Sequence, residues 1–355
     1  MPLVDRSQLK PGDVVSQDVL TPLGSVLFHK GRVITLRELD ILTAFLVPQV
    51  NVERAEEPQQ STAEAAASVS VAPAAKSVLH TEYEEMVVQL RRAYALVAGG
   101  DALPLLALRT QLERLLSRSA EYRVLSFRPR LASREDFYFH SSVMSALTCY
   151  QLAQWTDLPQ KDWMQVALAG LLHDIGNVKL DRDILTKPGV LTPGEQEEMK
   201  RHTLNGYQLL KPVAALNEGV KLSALQHHER VDGSGYPLGL GSDNIHRYAK
   251  LVAIADIFHA MTLERAYRPA LSPYVVLEQL EKDAFGSLDP GFVRRFIEKA
   301  TQFQNGSLVR LSDGRIGEIV FTDRTAPIRP WVSVSGTIVN LTVDRQLYID
   351  ECISH

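Results

Sequence analysis

LLHDIGNVKL, residues 171–180, sets His173 and Asp174 side by side after an apolar run, and Gly176 then lets the chain turn. A vicinal imidazole and carboxylate suit metal ligation, because one side chain can cap a single cation while its neighbour, pointing differently, bridges two. The residues farther out strengthen that reading. Five of the ten histidines, His140, His173, His202, His227 and His228, fall between residues 140 and 228. Asp256 sits in the apolar run LVAIADIF, residues 251–258, where an unpaired carboxylate carries a heavy desolvation cost that a divalent cation would remove. Neutral imidazoles and carboxylates are ligands for Mn, Fe or Zn, and two metals about 3.5–4 Å apart need several such groups. Asp136 precedes His140 by about one helical turn, so it shares a face with it and can orient the ring or coordinate a metal itself.

The segment that carries these residues reads as helical. Between residues 135 and 303 no strand–helix alternation appears, and two helix starts are explicit: Thr192 with Glu195 three residues on, and Ser272 before Pro273. Upstream, Tyr83, Met86, Leu90, Tyr94 and Val97 recur at three- and four-residue steps, and Leu105, Leu108, Leu112, Leu115 and Leu116 resume the pattern after an interruption at GGDALP. This helical hairpin either packs on the domain that follows or pairs between subunits. Residues 3–54 hold short strand-like runs and a helix whose start is marked by Thr35 and Glu38. Residues 305–321 alternate around Asp313-Gly314 in a hairpin pattern, with further strands at 331–343. The Ala-, Ser-, Pro- and Glu-rich residues 55–77 bury too little apolar surface to offset ordering entropy and read as a disordered linker.

Composition excludes several classes. The chain has 355 residues, 45% of them hydrophobic and 23% charged, with a mean hydropathy of -0.08, which fits a globular protein of more than one compact unit. A formal charge of -4 argues against a DNA binder working through a strongly basic face. Two cysteines, Cys149 and Cys352, make no disulfide framework, and no apolar run reaches the length of a membrane span. The N-terminus lacks a signal-peptide core, so the cytoplasm is the expected compartment.

Around the His/Asp set lie residues suited to phosphate. They are Lys187 in LTKPGVLTPGE (185–195), the glycine-rich HHERVDGSGYPLGL (227–240), and Arg265 and Arg268 in ADIFHAMTLERAYR (255–268). Guanidinium groups bind phosphate oxygens bidentately, glycines admit close backbone approach, and a tyrosine ring can stack on a base. With HDIG, these stretches in this order resemble the HD-GYP family of bacterial cyclic-dinucleotide phosphodiesterases, over residues 135–300.

The resemblance implies a mainly α protein: an all-helical HD-GYP domain at 121–303, preceded by the hairpin at 78–120. It is flanked by a small N-terminal α+β module at 1–54 and a small, β-barrel-like C-terminal module at 304–355. It implies that His140, His173, Asp174, His202, His227, His228 and Asp256 hold two divalent ions, Fe or Mn, with His173, Asp174 and Asp256 at the catalytic centre. Asp136 extends that expectation to a third ion. Lys187, Gly235, Tyr236, Pro237, Arg265 and Arg268 are the implied substrate-binding residues. The implied activity is hydrolysis of cyclic di-GMP to pGpG and onward to GMP, in second-messenger signalling. Asn177 stands where the family usually carries lysine. Asn is neutral, and losing one electrostatic donor costs about 10²–10³ in rate, so the alternative is a degenerate relative that binds cyclic di-GMP and signals through a partner protein without turnover. Lys179 is a candidate to reach back in its place. His259, where relatives carry aspartate, reads as a packing or supporting residue. A homodimer and a signalling partner are open expectations.

Overall fold

The computed structural model describes residues 3–20, 26–45, 47–53, 77–129, 131, 136–187, 189–264, 270–302 and 305–354. The linker expected at 55–77 falls outside them except for Ser77, and so do Arg265 and Arg268. The chain divides into two compact units, one formed by residues 1–75 with 303–355, the other by residues 76–302.

The first unit joins both ends of the chain. Its strands are β1 (Leu3–Asp5), β2 (Val14–Val15), β3 (Val19–Leu20), β4 (Val26–Phe28) and β5 (Gln49–Glu53), with helix α1 (Leu36–Ala44) before β5. β5 is the middle strand of an antiparallel trio, pairing Val50 with Val4 and Val52 with Val15. Glu38 accepts hydrogen bonds from the Thr35 amide and hydroxyl and from Arg32, so the start of α1 marked in the sequence is tied to the loop before it. The C-terminal residues add β6 (Leu308–Leu311), β7 (Ile316–Phe321), β8 (Trp331–Val334), β9 (Thr337–Asn340) and β10 (Ile349–Ser354). They form one antiparallel sheet ordered β10-β6-β7-β8-β9, in which Asp313 and Gly314 turn β6 into β7. That order leaves β9 and β10 at opposite edges, so the pairing among the described residues is an open sheet and not a closed barrel. The two terminal segments, separate modules in the sequence reading, share one core: Leu308 and Ile316 pack in the same cluster as Val4, Ile34, Ile41, Leu42 and Val52.

The second unit is helical throughout its described residues. The hairpin is α2 (Val78–Ala98) and α3 (Leu105–Leu116). After it come α4 (Asp136–Trp155), α5 (Gln160–Leu172), α6 (Arg182–Leu185), α7 (Pro193–Lys200), α8 (His202–Leu210), α9 (Glu218–Gln226), α10 (Arg247–Thr262), α11 (Pro273–Asp283) and α12 (Pro290–Ala300). The hairpin packs within its own chain, since α2 lies on α4 and on the 3-10 turn Ile175–Lys179. Both marked starts hold: Thr192 and Glu195 form a reciprocal capping box on α7, and the Ser272 hydroxyl accepts from the Tyr274 amide ahead of α11.

Helices α4, α5 and α10 are buried on nearly all sides, with Met144 and Leu147, Val166 to Leu172, and Leu251 to Ala255 inside. Each fully buried Leu, Ile or Val contributes roughly 1.5–3 kcal/mol, which makes these three the rigid centre of the unit. His140, His173 and Asp256 are mounted on them.

Candidate metal centre

His173 caps the C-terminus of α5, and its Nδ1 donates to the Gly170 carbonyl at 2.9 Å. His202, opening α8, donates from Nδ1 to the Met199 carbonyl at 2.6 Å, and His227, closing α9, donates to the Ser223 carbonyl at 3.0 Å. A carbonyl oxygen only accepts, so each of these rings carries its proton on Nδ1 and, when neutral, turns a bare Nε2 lone pair inward. Those lone pairs converge. His202 Nε2 and His227 Nε2 face each other at 3.2 Å, and the buried His173 Nε2 has no hydrogen-bond partner. Two acceptors at that separation need a cation or a proton between them.

The carboxylates complete the group. Asp174 begins the 3-10 turn, with Oδ2 lying 3.6 Å from His173 Nε2 and Oδ1 lying 3.4 Å from His202 Nε2 and 3.6 Å from His227 Nε2. One carboxylate therefore spans both sides of the cluster. Asp256 Oδ1 stands 3.5 Å from His173 Nε2. Burial opposes charge on His173, but the Asp174 and Asp256 carboxylates outweigh it and raise its pKa to about 9, so in the metal-free chain its Nε2 holds a proton, and that nitrogen offers its lone pair only once a cation displaces the proton. Burial likewise works against charge on both carboxylates, and the surrounding imidazoles hold them below the usual carboxylate range nevertheless. Burial, helped by the neighbouring His227, pushes His228 well below the usual imidazole range. Converging lone pairs and two ionised carboxylates fit divalent cations of borderline hardness. His202, His227 and His228 offer one set of ligand atoms within 4.8 Å of one another, and His173, Asp174 and His227 offer a second.

Two close backbone contacts make this placement depend on glycine. A Cβ on Gly176 would lie 1.8 Å from the His202 carbonyl, so only glycine lets the 3-10 turn press against α8 beside the ligands. A Cβ on Gly235 would fall 2.4 Å from the Arg230 amide and 2.5 Å from the His228 carbonyl. Tyr236 then stacks on the His228 ring at 4.7 Å, with Lys200 Nζ 5.7 Å from the tyrosine centroid. Pro237 follows on the exposed rim.

Other expected residues sit differently. His140 Nδ1 meets the Tyr83 hydroxyl at 2.7 Å, and Asp136 is ion-paired with Arg91 from α2, a cation that competes with any third metal. Lys187 is bonded to both oxygens of Glu195, at 2.8 and 2.5 Å, and this contact with the Thr192 amide holds Glu195 down to about 2. Asn177 is buried in the 3-10 turn, while Lys179 is exposed. His259 Nε2 pairs with the Thr148 hydroxyl at 2.8 Å, which in turn meets the Tyr122 hydroxyl at 3.2 Å, so it belongs to a buried chain of side chains behind Asp256.

Sequence reasoning missed three supporting residues. Glu229 is buried and accepts from the Leu238 amide at 2.7 Å and the Leu240 amide at 2.9 Å, which pins the GYP loop. Its position directly after the paired histidines was the available signal. Tyr83 and Arg91, which reach His140 and Asp136, lie on a helix whose periodicity reported only packing.

A family model described as HD domain matches residues 113–291. A cyclic di-GMP phosphodiesterase of Pseudomonas aeruginosa is 34% identical over 206 residues, covering 58% of this chain and 49% of that protein. The cyclic di-GMP phosphodiesterase response regulator RpfG of Xanthomonas campestris is 35% identical over 156 residues, covering 43% of this chain and 41% of its own length. The 3'3'-cGAMP-specific phosphodiesterase 1 of Vibrio cholerae is 32% identical over 177 residues, covering 50% and 41%. The chain thus spans half or less of the length of these curated relatives.

Proposed function

The chain belongs to the HD domain family, and from that premise we propose that it is a metal-dependent phosphodiesterase that opens cyclic di-GMP to pGpG and, in a second step, to GMP. The observation that carries this reading is the convergence of the His173, His202 and His227 lone pairs on the Asp174 and Asp256 carboxylates. The relatives named as cyclic di-GMP phosphodiesterases support the choice of substrate.

His140, His173, Asp174, His202, His227, His228 and Asp256 would hold two divalent ions, Fe or Mn. When bound, these ions would polarise the phosphate oxygens and activate water for attack. The protein's own part is positional. Backbone carbonyls fix three imidazole tautomers before any cation arrives, so no ring has to turn or exchange its Nδ1 proton to become a ligand. Asp174 links the two ligand sets, and the GYP loop, pinned by Glu229, sets Tyr236 over His228 at the mouth of the site. Arg265 and Arg268 supply guanidinium groups suited to the two phosphates. Among the described residues no helix is long and apolar enough to cross a membrane, and we place the reaction in the cytoplasm.

The test is anaerobic incubation of the Fe(II)- or Mn(II)-loaded chain with cyclic di-GMP, beside Asp174→Ala and Asn177→Lys, with products separated by chromatography. Turnover that disappears in Asp174→Ala is expected, with Asn177→Lys faster than the parent. Tight binding without turnover in the parent, restored by Asn177→Lys, would overturn hydrolysis and make the protein a receptor.

A further inference from the structure

Lys200 closes α7 two residues before His202, and the backbone on either side of it is fixed. The Met199 carbonyl accepts from His202 Nδ1 at 2.6 Å, and the Lys200 carbonyl accepts from the buried Thr203 hydroxyl at 2.9 Å. What can move is the side chain. Its ammonium lies 5.7 Å from the centre of the Tyr236 ring. That ring stacks on His228 at 4.7 Å and stands nearly perpendicular to His202, with centroids 6.4 Å apart. The amine is therefore one aromatic ring away from two histidines of the cluster.

A cyclic dinucleotide has two phosphodiester groups and brings two negative charges to this mouth, while the chain carries a neutral Asn177 where the family usually has lysine. Three other cations near the site are engaged. Lys187 donates to both oxygens of Glu195, Arg91 is paired with the buried Asp136, and Arg230 donates to the His227 and Glu229 carbonyls. Lys200 is held differently. Its partner at 2.6 Å, Glu197 on the same helix, has 71% of its side chain in solvent, and the lysine side chain is itself 41% exposed. A pair in that setting is screened and contributes little, so a phosphate can take the ammonium from the carboxylate with small loss. The tyrosine face beside the amine keeps it near the mouth and leaves its three donors available for charge-assisted hydrogen bonds.

Resting on the phosphodiesterase reading, we propose that Lys200 is a substrate-binding residue, whose ammonium leaves Glu197 and pairs with a phosphate of the cyclic dinucleotide beside the GYP loop. It supplies from α7 a positive charge that Asn177 does not supply from the 3-10 turn. A contact made equally to the bound substrate and to the reacting one acts on KM and leaves kcat.

Steady-state kinetics of the Mn(II)-loaded full chain with cyclic di-GMP test this, beside Lys200→Gln, Lys200→Arg and Glu197→Gln, with the Mn(II) affinity of each chain titrated calorimetrically. The expected result is about a ten-fold rise in KM for Lys200→Gln with kcat little changed, and a KM within about three-fold of the parent in Lys200→Arg. Glu197→Gln releases the amine and should lower KM about two-fold. Added NaCl should raise the KM of the parent more steeply than that of Lys200→Gln, a difference that a merely structural role would not produce. Mn(II) affinity should be the same in all four chains. Calorimetric affinity for cyclic di-GMP should follow the order of KM, and it reads Lys200 even in a chain that binds without turnover. An unchanged KM and affinity in Lys200→Gln would overturn the role of Lys200 alone. Loss of Mn(II) affinity in that variant would also overturn it, by making the residue a support of the metal cluster. A parent chain that neither binds nor cleaves cyclic di-GMP would overturn both this assignment and the phosphodiesterase reading.

Discussion

The contacts of single residues decide how the cluster is held. At Gly176 the approach of the His202 carbonyl leaves no room for a methyl group, and the obstacle is backbone, which cannot move aside alone. Gly176→Ala is therefore expected to cost about 1–3 kcal/mol or more in chemical denaturation and to weaken Mn(II) binding by shifting His202. His259 has the opposite kind of contact, a deep one made by a titratable group. Burial lowers its pKa from 6.5 to about 3; the Asp256 carboxylate opposes the shift, while Arg128 and His173 add to it. Because the folded pKa lies below the unfolded one, the unfolded chain takes up the proton first. This contribution to stability is complete above pH 6.5 and is lost as pH falls from there toward 3, at about 1.4 kcal/mol per unit. Urea unfolding at pH 7 and pH 5 should show His259→Gln losing about 2 kcal/mol less than the parent over that interval. An equal loss in both would contradict the assignment.

Individual elements differ in how openly the sequence declared them. The hairpin α2–α3 buries one face, so its three- and four-residue steps were legible, as were the capping signals of α7 and α11. Helices α4, α5 and α10 are buried almost all round and carry no such stripe, so their ends were not legible from periodicity, although the site residues they bear were recognisable as motifs. What no pattern announced is that α2 belongs to the site: Tyr83 meets His140, and Arg91 pairs with Asp136. Removing the hydroxyl in Tyr83→Phe leaves the apolar face intact and frees the ring of His140. Loss of such a supporting hydrogen bond is expected to lower metal affinity at least ten-fold, read by calorimetric titration with Mn(II), with the helix content unchanged by circular dichroism.

Across the whole molecule, sequence reading separated the ends of the chain because their apolar residues are short runs split by some 250 positions of unrelated helix. Pairing and shared burial at such separation leave no local pattern, whereas the His/Asp constellation is chemical and survives translation into sequence. The common core of Leu308 and Ile316 with Val4, Ile34 and Val52 has a direct consequence. A chain ending at residue 302 should lose protection of residues 3–53 in limited proteolysis, while α4, α5 and α10 stay protected. Equal protection in both lengths would show that the N-terminal strands hold without the C-terminal sheet. In the proposed function, one cluster of imidazoles and carboxylates holds divalent ions that support hydrolysis of a cyclic dinucleotide. The most direct measurement is the rate of pGpG formation by the metal-stripped full chain as Mn(II) is added back. A rate that starts at zero, rises with bound metal to a plateau near two ions per chain, and collapses on chelation is the predicted result. Cyclic di-GMP that binds yet stays intact at every metal occupancy would contradict it.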